Sequence, residues 1–453
     1  MSKRHMRMGL FLNVTGHHVA SWRHTLAHAD EGVRFRSYAE MALAAERAKF
    51  DMVFFADTPG VRDASMEALS RSAQYIAGFE PITLCSALAA VTTNIGLACT
   101  ASTTYNEPYN IARKFASLDH LSGGRAAWNI VTTGQISAGR NFGIEHDFTH
   151  AERYGRAREF TRVVQDLWDS WDDDAFPRDK ATGEFFIPER LHTLGHKGKW
   201  FSVEGPLNIP RTPQGHPVLV QAGSSEDGRD FAAEFADVIF TGHVLLDQAK
   251  AYYNDLKLRA APYGRNPDQI VVMPGLSTVV GRTESEAREK EEQLQSLMHP
   301  VVAREILSTV LGGADLRPYP MDGPLPPEEM LPVPPSTSKS GRQNWFDMAK
   351  RENLTMHQLA LRAAHGRGKS AIVGTAKQIA DHMQEWFEKG GADGFNIQPP
   401  CQPASLDDFI ELVVPELQKR GLMRSQYDGP MLRDNLGLPR RASRYERVAG
   451  VAA

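Results

Sequence analysis

Cysteine is scarce in this chain: Cys85, Cys99 and Cys401 are the only three among 453 residues, and they lie far apart. That excludes a disulfide framework and any paired-cysteine metal knuckle, and a reducing cytoplasm is the expected compartment. An excess of basic charge is also lacking. Lys and Arg total 51 against 55 Asp and Glu, for a net charge of −4, so there is no footprint for nucleic-acid phosphates. Long apolar runs are missing too; none approaches the ~20 residues of a membrane span. The start, MSKRHMRMGLFLNVTGHH, has a basic lead, but its apolar run is broken at Asn13, too short for a signal peptide. Among 16 histidines there is no HExxH, and there is neither GxSxG nor a GxGxxG after the first strand. HGRGKSAIVG (365–374) imitates the end of a P-loop, but Ala363 stands at the first glycine position after a helical LALRAA, so triphosphate binding is rejected there.

What is present is a rhythm. Eight β-rich runs recur, at 8–14, 51–57, 95–102, 126–132, 217–223, 236–242, 269–280 and 393–397, and most are followed by helical apolar spacing, as in 38–50, 107–121, 153–171 and 376–390. Continuous apolar strands alternating with amphipathic helices predict a parallel sheet covered by helices, and eight such units predict an α/β TIM (β/α)8 barrel. The spacing is uneven. Far more chain than the ~30 residues of a simple unit separates strands four and five, and strands seven and eight, which predicts long insertions at about 134–215 and 284–375 of a single domain spanning 1–438. The second gap holds PYPMDGPLPPEEMLPVPPSTSKSG (318–341), read as an extended excursion or mobile lid. The tail 439–453, basic and then small, reads as a frayed end or a subunit arm.

In such a barrel the chemistry sits at the carboxyl ends of the strands. Those ends carry Asn13, Gly16, His17 and His18 on strand one, Asp57 on strand two, Ser102 and Thr103 on strand three, Asn129 and Thr132 on strand four, and Gly223, Ser224 and Ser225 on strand five. Each has a plainer reading. Asp57 before Thr-Pro-Gly suits a turn cap, and strand-end hydroxyls can bond their own backbone. His17 and His18 are adjacent, so they face opposite ways and at most one meets a ligand. Gly223, Ser224 and Ser225 follow a strand and open a helix, which suits either a phosphate site or a serine cap. His150 and Tyr154, at i and i+4, form either a surface contact or an imidazole and phenol aimed at the same phosphate, with Arg153 nearby.

The ordered series TYNEPYNIARKFASLDHLSGGRAAWNIVTT, RNFG (140–143), HAERYGRAREF, GPLNIPRTPQGHPVLVQAGSS, GGADGFNI and VVPELQKRG resembles the nitrilotriacetate / dibenzothiophene-sulfone monooxygenase family of bacterial-luciferase-like flavin enzymes, over nearly the whole chain. The resemblance implies a monooxygenase that takes reduced FMN from a separate NAD(P)H:flavin reductase and, with O2 as co-substrate, oxidises a small organic substrate through a C4a-peroxyflavin. Position by position it places Asp57 and Thr103 near the flavin ring and ribityl chain, makes Asn129 a flavin contact, and puts His150, Tyr154, Ser224 and Ser225 on the phosphate side. His17 or His18 falls on the substrate side as the catalytic histidine. Some relatives carry another histidine in the segment before strand eight, and REILSTVLGGADLRPYP has none, so no such role is assumed. The resemblance further implies a homodimer or homotetramer. Two other classes stay open from sequence: a deazaflavin-dependent dehydrogenase on the same barrel, and a non-catalytic flavin carrier. A weaker one is a phosphorylated-metabolite enzyme built on Ser224 and Ser225.

Overall fold

In the computed structural model, which describes residues 4–61, 64–73, 76–133, 136–144, 148–333, 339–365 and 371–446, the expected strands close on themselves. They are Arg7–Phe11, Met52–Phe55, Gly96–Ser102, Ala126–Val131, Val218–Gln221, Val238–Thr241, Val271–Leu276 and Gly394–Ile397. All pair in parallel in chain order, and strand one closes the ring against strand eight with Leu10 opposite Ile397. Side chains alternate between two environments, as a closed sheet requires. Phe11, Phe54, Ala98, Ala127, Val220, Phe240 and Met273 form one cluster contributed by successive strands, the barrel interior. Leu10, Val53, Leu97, Trp128, Leu219 and Phe395, one position out of phase, pack with the surrounding helices. Phase also decides which polar residues point inward: Thr100 follows Ala98 by two, Asn129 follows Ala127, and Asn396 follows the inward position of Gly394.

The SLDHLSGGRAAW stretch is mostly architecture. Helix Pro108–Ser122 ends at Gly123 and Gly124, whose φ of 66° and 91° lie in the left-handed region that glycine tolerates. Arg125 is buried and donates to the carbonyls of Ala89, Thr92, Ile95 and Ser122, which fastens the preceding helix-strand unit to strand four. Asp119 accepts from Ala126 N–H and from the Gln214 amide.

Two details depart from the sequence reading. The apolar run 269–280 is two strands: after Leu276 the chain leaves the barrel, and Thr278–Gly281 pairs instead with Ile372–Thr375. The segment between strands seven and eight also builds a core of its own, in which Leu307, Leu331, Trp345, Met356 and Leu359 are buried. The Pro-rich stretch contributes to that core through Tyr319, Met321 and Leu325, and its backbone accepts from Met356 and His357, so 319–333 is pinned, not a free excursion. Residues 334–338 lie outside the described residues.

The carboxyl-terminal segment closes the other end of the barrel. Leu432, Leu436 and Leu438 join the interior cluster from the amino-terminal side of the strands. Arg433 reaches Asp237 at 2.8 Å, Arg440 pairs with Asp173, and Arg444 N–H donates to Asp169. Tyr445 stacks on His192 with ring centroids 3.8 Å apart. Through Glu446 the tail is therefore a strap on its own barrel, neither frayed nor extended. No helix among the described residues is long and apolar enough to cross a membrane.

Candidate active site

The carboxyl end of the barrel gathers polar atoms that the fold itself does not satisfy. Thr100 Oγ1 donates to Phe55 O at 2.7 Å and accepts from Asn129 Nδ2 at 2.8 Å, which fixes the Asn129 amide. Asn129 is 3% exposed, yet its Oδ1 has no hydrogen-bond partner. Across the barrel, Asn396 Oδ1 and Gln398 Oε1 are in the same condition. Gly9 makes room for that layer, since a Cβ there would lie 2.9 Å from Asn396 Oδ1. Buried acceptors without donors are costly, and a layer of them at a barrel mouth marks where a ligand supplies the missing hydrogens. Thr103 is buried with its hydroxyl donating to Val131 O at 3.3 Å, a contact that ties strand three to strand four.

Above strands four and five a second group converges. Helix His150–Trp168 begins with a capping box of Thr149 and Glu152, which places His150 in the first turn and Tyr154 one turn later, ring centroids 4.8 Å apart. His150 Nδ1 donates to Asp227 at 2.8 Å, and its Nε2 lies 3.5 Å from Ser225 Oγ. Ser225 caps helix Glu226–Phe235 by accepting from Gly228 N–H. Gly223 and Gly228 are small for a reason visible in the geometry: a Cβ on either would come within 3.1 and 2.9 Å of the Tyr154 hydroxyl. Ser224 stands exposed beside Ser225. Arg153, by contrast, donates to Phe148 O at 2.8 Å. The structure brings His150, Tyr154 and Ser225 together, with Ser225 serving as the helix cap and His150 paired with Asp227. A hydroxyl, a phenol and an imidazole thus meet at one helix start.

Asp57 lies at the end of strand two, on the wall of a cleft of about 440 Å³ that Phe11, Asn13, Tyr38, Phe55 and Phe79 also line. Burial of its surroundings and the nearby Glu80 push the carboxyl up to about 6, against the opposing N–H of Thr58.

The two adjacent histidines part company. His17 Nε2 donates to Phe11 O at 2.8 Å and packs edge-on against the Phe11 ring at 4.5 Å, on the side of the barrel interior. His18 is wholly buried on the other side, its ring 5.0 Å from that of His365 in a T-shaped contact. His365, just after helix Met356–Ala363 in the segment before strand eight, has no signal in the sequence beyond its place in HGRGKSAIVG. Residues 366–370 of that motif lie outside the described residues. Thr100 and Asn396 were also missed, although counting by twos along strands three and eight would have found them. Among the described residues no group of three or more His, Cys, Asp or Glu could hold a metal ion.

A closed parallel barrel with an inward polar layer at its carboxyl mouth has the architecture of an α/β-barrel enzyme, whose chemistry sits at that mouth. Comparison with known proteins makes the class specific. Residues 14–394 match the family model of the luciferase-like monooxygenases, and the chain belongs to that family, which makes it an oxidoreductase. It is 48% identical to N-acetyl-S-(2-succino)cysteine monooxygenase of Bacillus subtilis, over 98% of this chain and 99% of the relative. It is 45% identical to nitrilotriacetate monooxygenase component A of Aminobacter aminovorans, over 97% and 98%. In structure it is similar to EDTA monooxygenase from Chelativorans sp. BNC1, with a TM-score of 0.83 and 33% identity, over 96% of this chain and 99% of the other. Luciferase-like flavin monooxygenases use reduced flavin and O2, so the deazaflavin and carrier alternatives give way to a flavin monooxygenase.

Proposed function

We propose that the protein is the oxygenase component of a two-component system: it receives reduced FMN from a separate NAD(P)H:flavin reductase and oxidises a small organosulfur, amine or halogenated substrate in the cytoplasm, as a homodimer or homotetramer. One observation carries the cofactor assignment, the convergence of His150, Tyr154 and Ser225 on one helix start, which suits a phosphate that riboflavin lacks. Bound reduced flavin supplies the two electrons that divide O2 between the oxygenated product and water. The chain's own residues then do the rest. Asp227 on Nδ1 would orient His150 so that Nε2, carrying a hydrogen, could join Ser224, Ser225 and Tyr154 in holding the phosphate. Asn129 Oδ1, without a partner in the protein, would accept from the ring or ribityl chain, which Thr103 and Asp57 would border. The buried Phe11 and Phe55 on the cleft wall would exclude water near the reacting atoms. Of the two strand-one histidines, His17 is assigned the catalytic role, since it packs on Phe11, a residue of the cleft wall. His18 faces away.

The test is an anaerobic titration with photoreduced FMN and with reduced riboflavin, followed by addition of O2 in the presence of candidate thioethers and amines. Tight binding of FMN, at least tenfold weaker binding of riboflavin, and incorporation of one atom of labelled O2 into product support the assignment. Equal affinity for the two flavins, or product without label, overturns it.

A further inference from the structure

The cleft of about 440 Å³ beside strands one and two is lopsided in charge. The described residues that line it include two carboxylates, Asp30 and Asp57, and no Lys, Arg or His. Most of the remaining wall is apolar, from the buried Phe11, Phe55 and Leu84 to the partly exposed Phe79. Two of its hydroxyls are already engaged within the protein: Tyr38 donates to Gly32 O at 3.0 Å and Thr58 to Gly60 O at 3.2 Å. Asp30 is exposed and paired with Arg34 at 2.5 Å. Asp57 is placed differently. Burial, the charge of Glu80 and the Thr58 N–H act on its carboxyl, and no cation is among them. Glu80 is itself fixed, because its oxygens accept from Ile82 and Thr83 N–H at 2.9 and 2.7 Å and cap helix Pro81–Ala89. Two carboxylates thus act on a cleft with low-dielectric walls, an arrangement that focuses a field of one sign on whatever enters.

We propose that this cleft selects the substrate by charge: it takes an apolar molecule bearing a protonated amine, whose ammonium is held by Asp57, and it turns away carboxylates. The proposal rests on the reading above that the cleft borders the reacting atoms, but it can be checked by binding alone. A carboxylate that enters gives up hydration against apolar walls and finds no Lys or Arg among the described lining residues to replace it. An ammonium gives up hydration too, but it gains the charge of Asp57, while its apolar body covers Phe11, Phe55 and Phe79. A neutral N–H of the flavin laid on Asp57 would satisfy one carboxylate oxygen and leave the charge in place, so the selectivity should survive cofactor binding.

The test uses three probes of one shape and different charge, 3-phenylpropylamine, 3-phenylpropan-1-ol and 3-phenylpropanoate. Each is titrated calorimetrically at pH 8, where Asp57 is ionised, into the flavin-free enzyme and, anaerobically, into the enzyme loaded with photoreduced FMN. The amine should bind about tenfold or more tightly than the alcohol, and the carboxylate about tenfold or more weakly, with both gaps narrowing in high salt. Asp57→Asn should bring the amine and the alcohol within about threefold of each other. Glu80→Gln keeps an acceptor for the helix cap and should narrow the gap without closing it. Nitrilotriacetate at millimolar concentration should not displace the amine from wild type. A carboxylate that binds as well as the alcohol, an amine that gains nothing over the alcohol or does not bind, or an unchanged ranking in Asp57→Asn overturns the proposal. Because the ranking is read first without flavin, a failed FMN titration leaves it standing, and a reversed ranking sinks it whatever the flavin does.

Discussion

Replacing Ser225 by alanine removes one oxygen atom with two roles. The first is local. Ser225 Oγ caps the ten-residue helix Glu226–Phe235 at 3.2 Å from Gly228 N, and losing such a cap costs about 1 kcal/mol. Spread over an unfolding entropy of about 2.1 cal/mol/K per residue, that is a Tm change on the order of 1 °C for a chain of this length. The second role is the contact with phosphate. A hydrogen bond to a charged group contributes about 1.5–3 kcal/mol, which is roughly a 10- to 150-fold rise in Kd for FMN. Riboflavin, without phosphate, should lose less than about threefold. Anaerobic fluorescence titration of wild type and Ser225→Ala with both reduced flavins, alongside a thermal melt, separates the two effects. If FMN and riboflavin weaken by the same factor, the phosphate is held elsewhere and the reading of the His150, Tyr154 and Ser225 cluster fails.

Asp237→Asn should destabilise the barrel by about 3–5 kcal/mol in urea at pH 7, because it leaves the buried Arg433 without its carboxylate. Burial opposes ionisation of Asp237, but Arg433, Arg441 and Arg265 hold it down at about 2, so its stabilisation is complete above about 4 and the gap to the variant should close as pH falls through 2. Asp57 has the opposite sign: with its pKa raised to about 6, wild type should lose stability relative to Asp57→Asn as pH rises from about 4 past 6, and parallel melts that show no such divergence would contradict the placement of the carboxyl. Gly9→Ala puts a methyl 2.9 Å from Asn396 Oδ1 and should cost about 1–3 kcal/mol with a matching fall in flavin affinity; an unchanged melt would mean the inward layer has slack.

The barrel was legible because its strands are apolar on both faces and its helices amphipathic, so the alternation shows directly in the residues. Asn129 and Ser225 were legible for a related reason: each ends or follows such a strand, where polarity stands out. His150 and Tyr154 were readable as a pair from their spacing, but their partners Asp227 and Ser225 come from another helix start that only the fold brings near. His365 was not legible at all. It lies far from His18 in sequence, in a segment with its own core, and nothing local in AAHGRG indicates a buried contact with the loop after strand one. The Pro-rich stretch misled for a complementary reason: proline excludes regular structure, but it does not prevent Leu331 and Met321 from packing. Arg440 and Arg444 looked like a free basic arm because Asp173 and Asp169, which hold them, lie in the gap between strands four and five.

The strap of residues 432–446 also has a consequence for timing. Strand eight is the last of the barrel strands to be made, and Leu432, Leu436, Leu438 and Arg433 follow it, so the interior cluster and the Asp237 pair cannot be completed before those residues emerge. A chain growing at ~5–20 residues per second spends many seconds with seven strands made and two unpaired sheet edges exposed. The gap between strands seven and eight prolongs that interval. Closure of this barrel therefore waits on its last strand and on the strap behind it, rather than on any step in the middle of the chain.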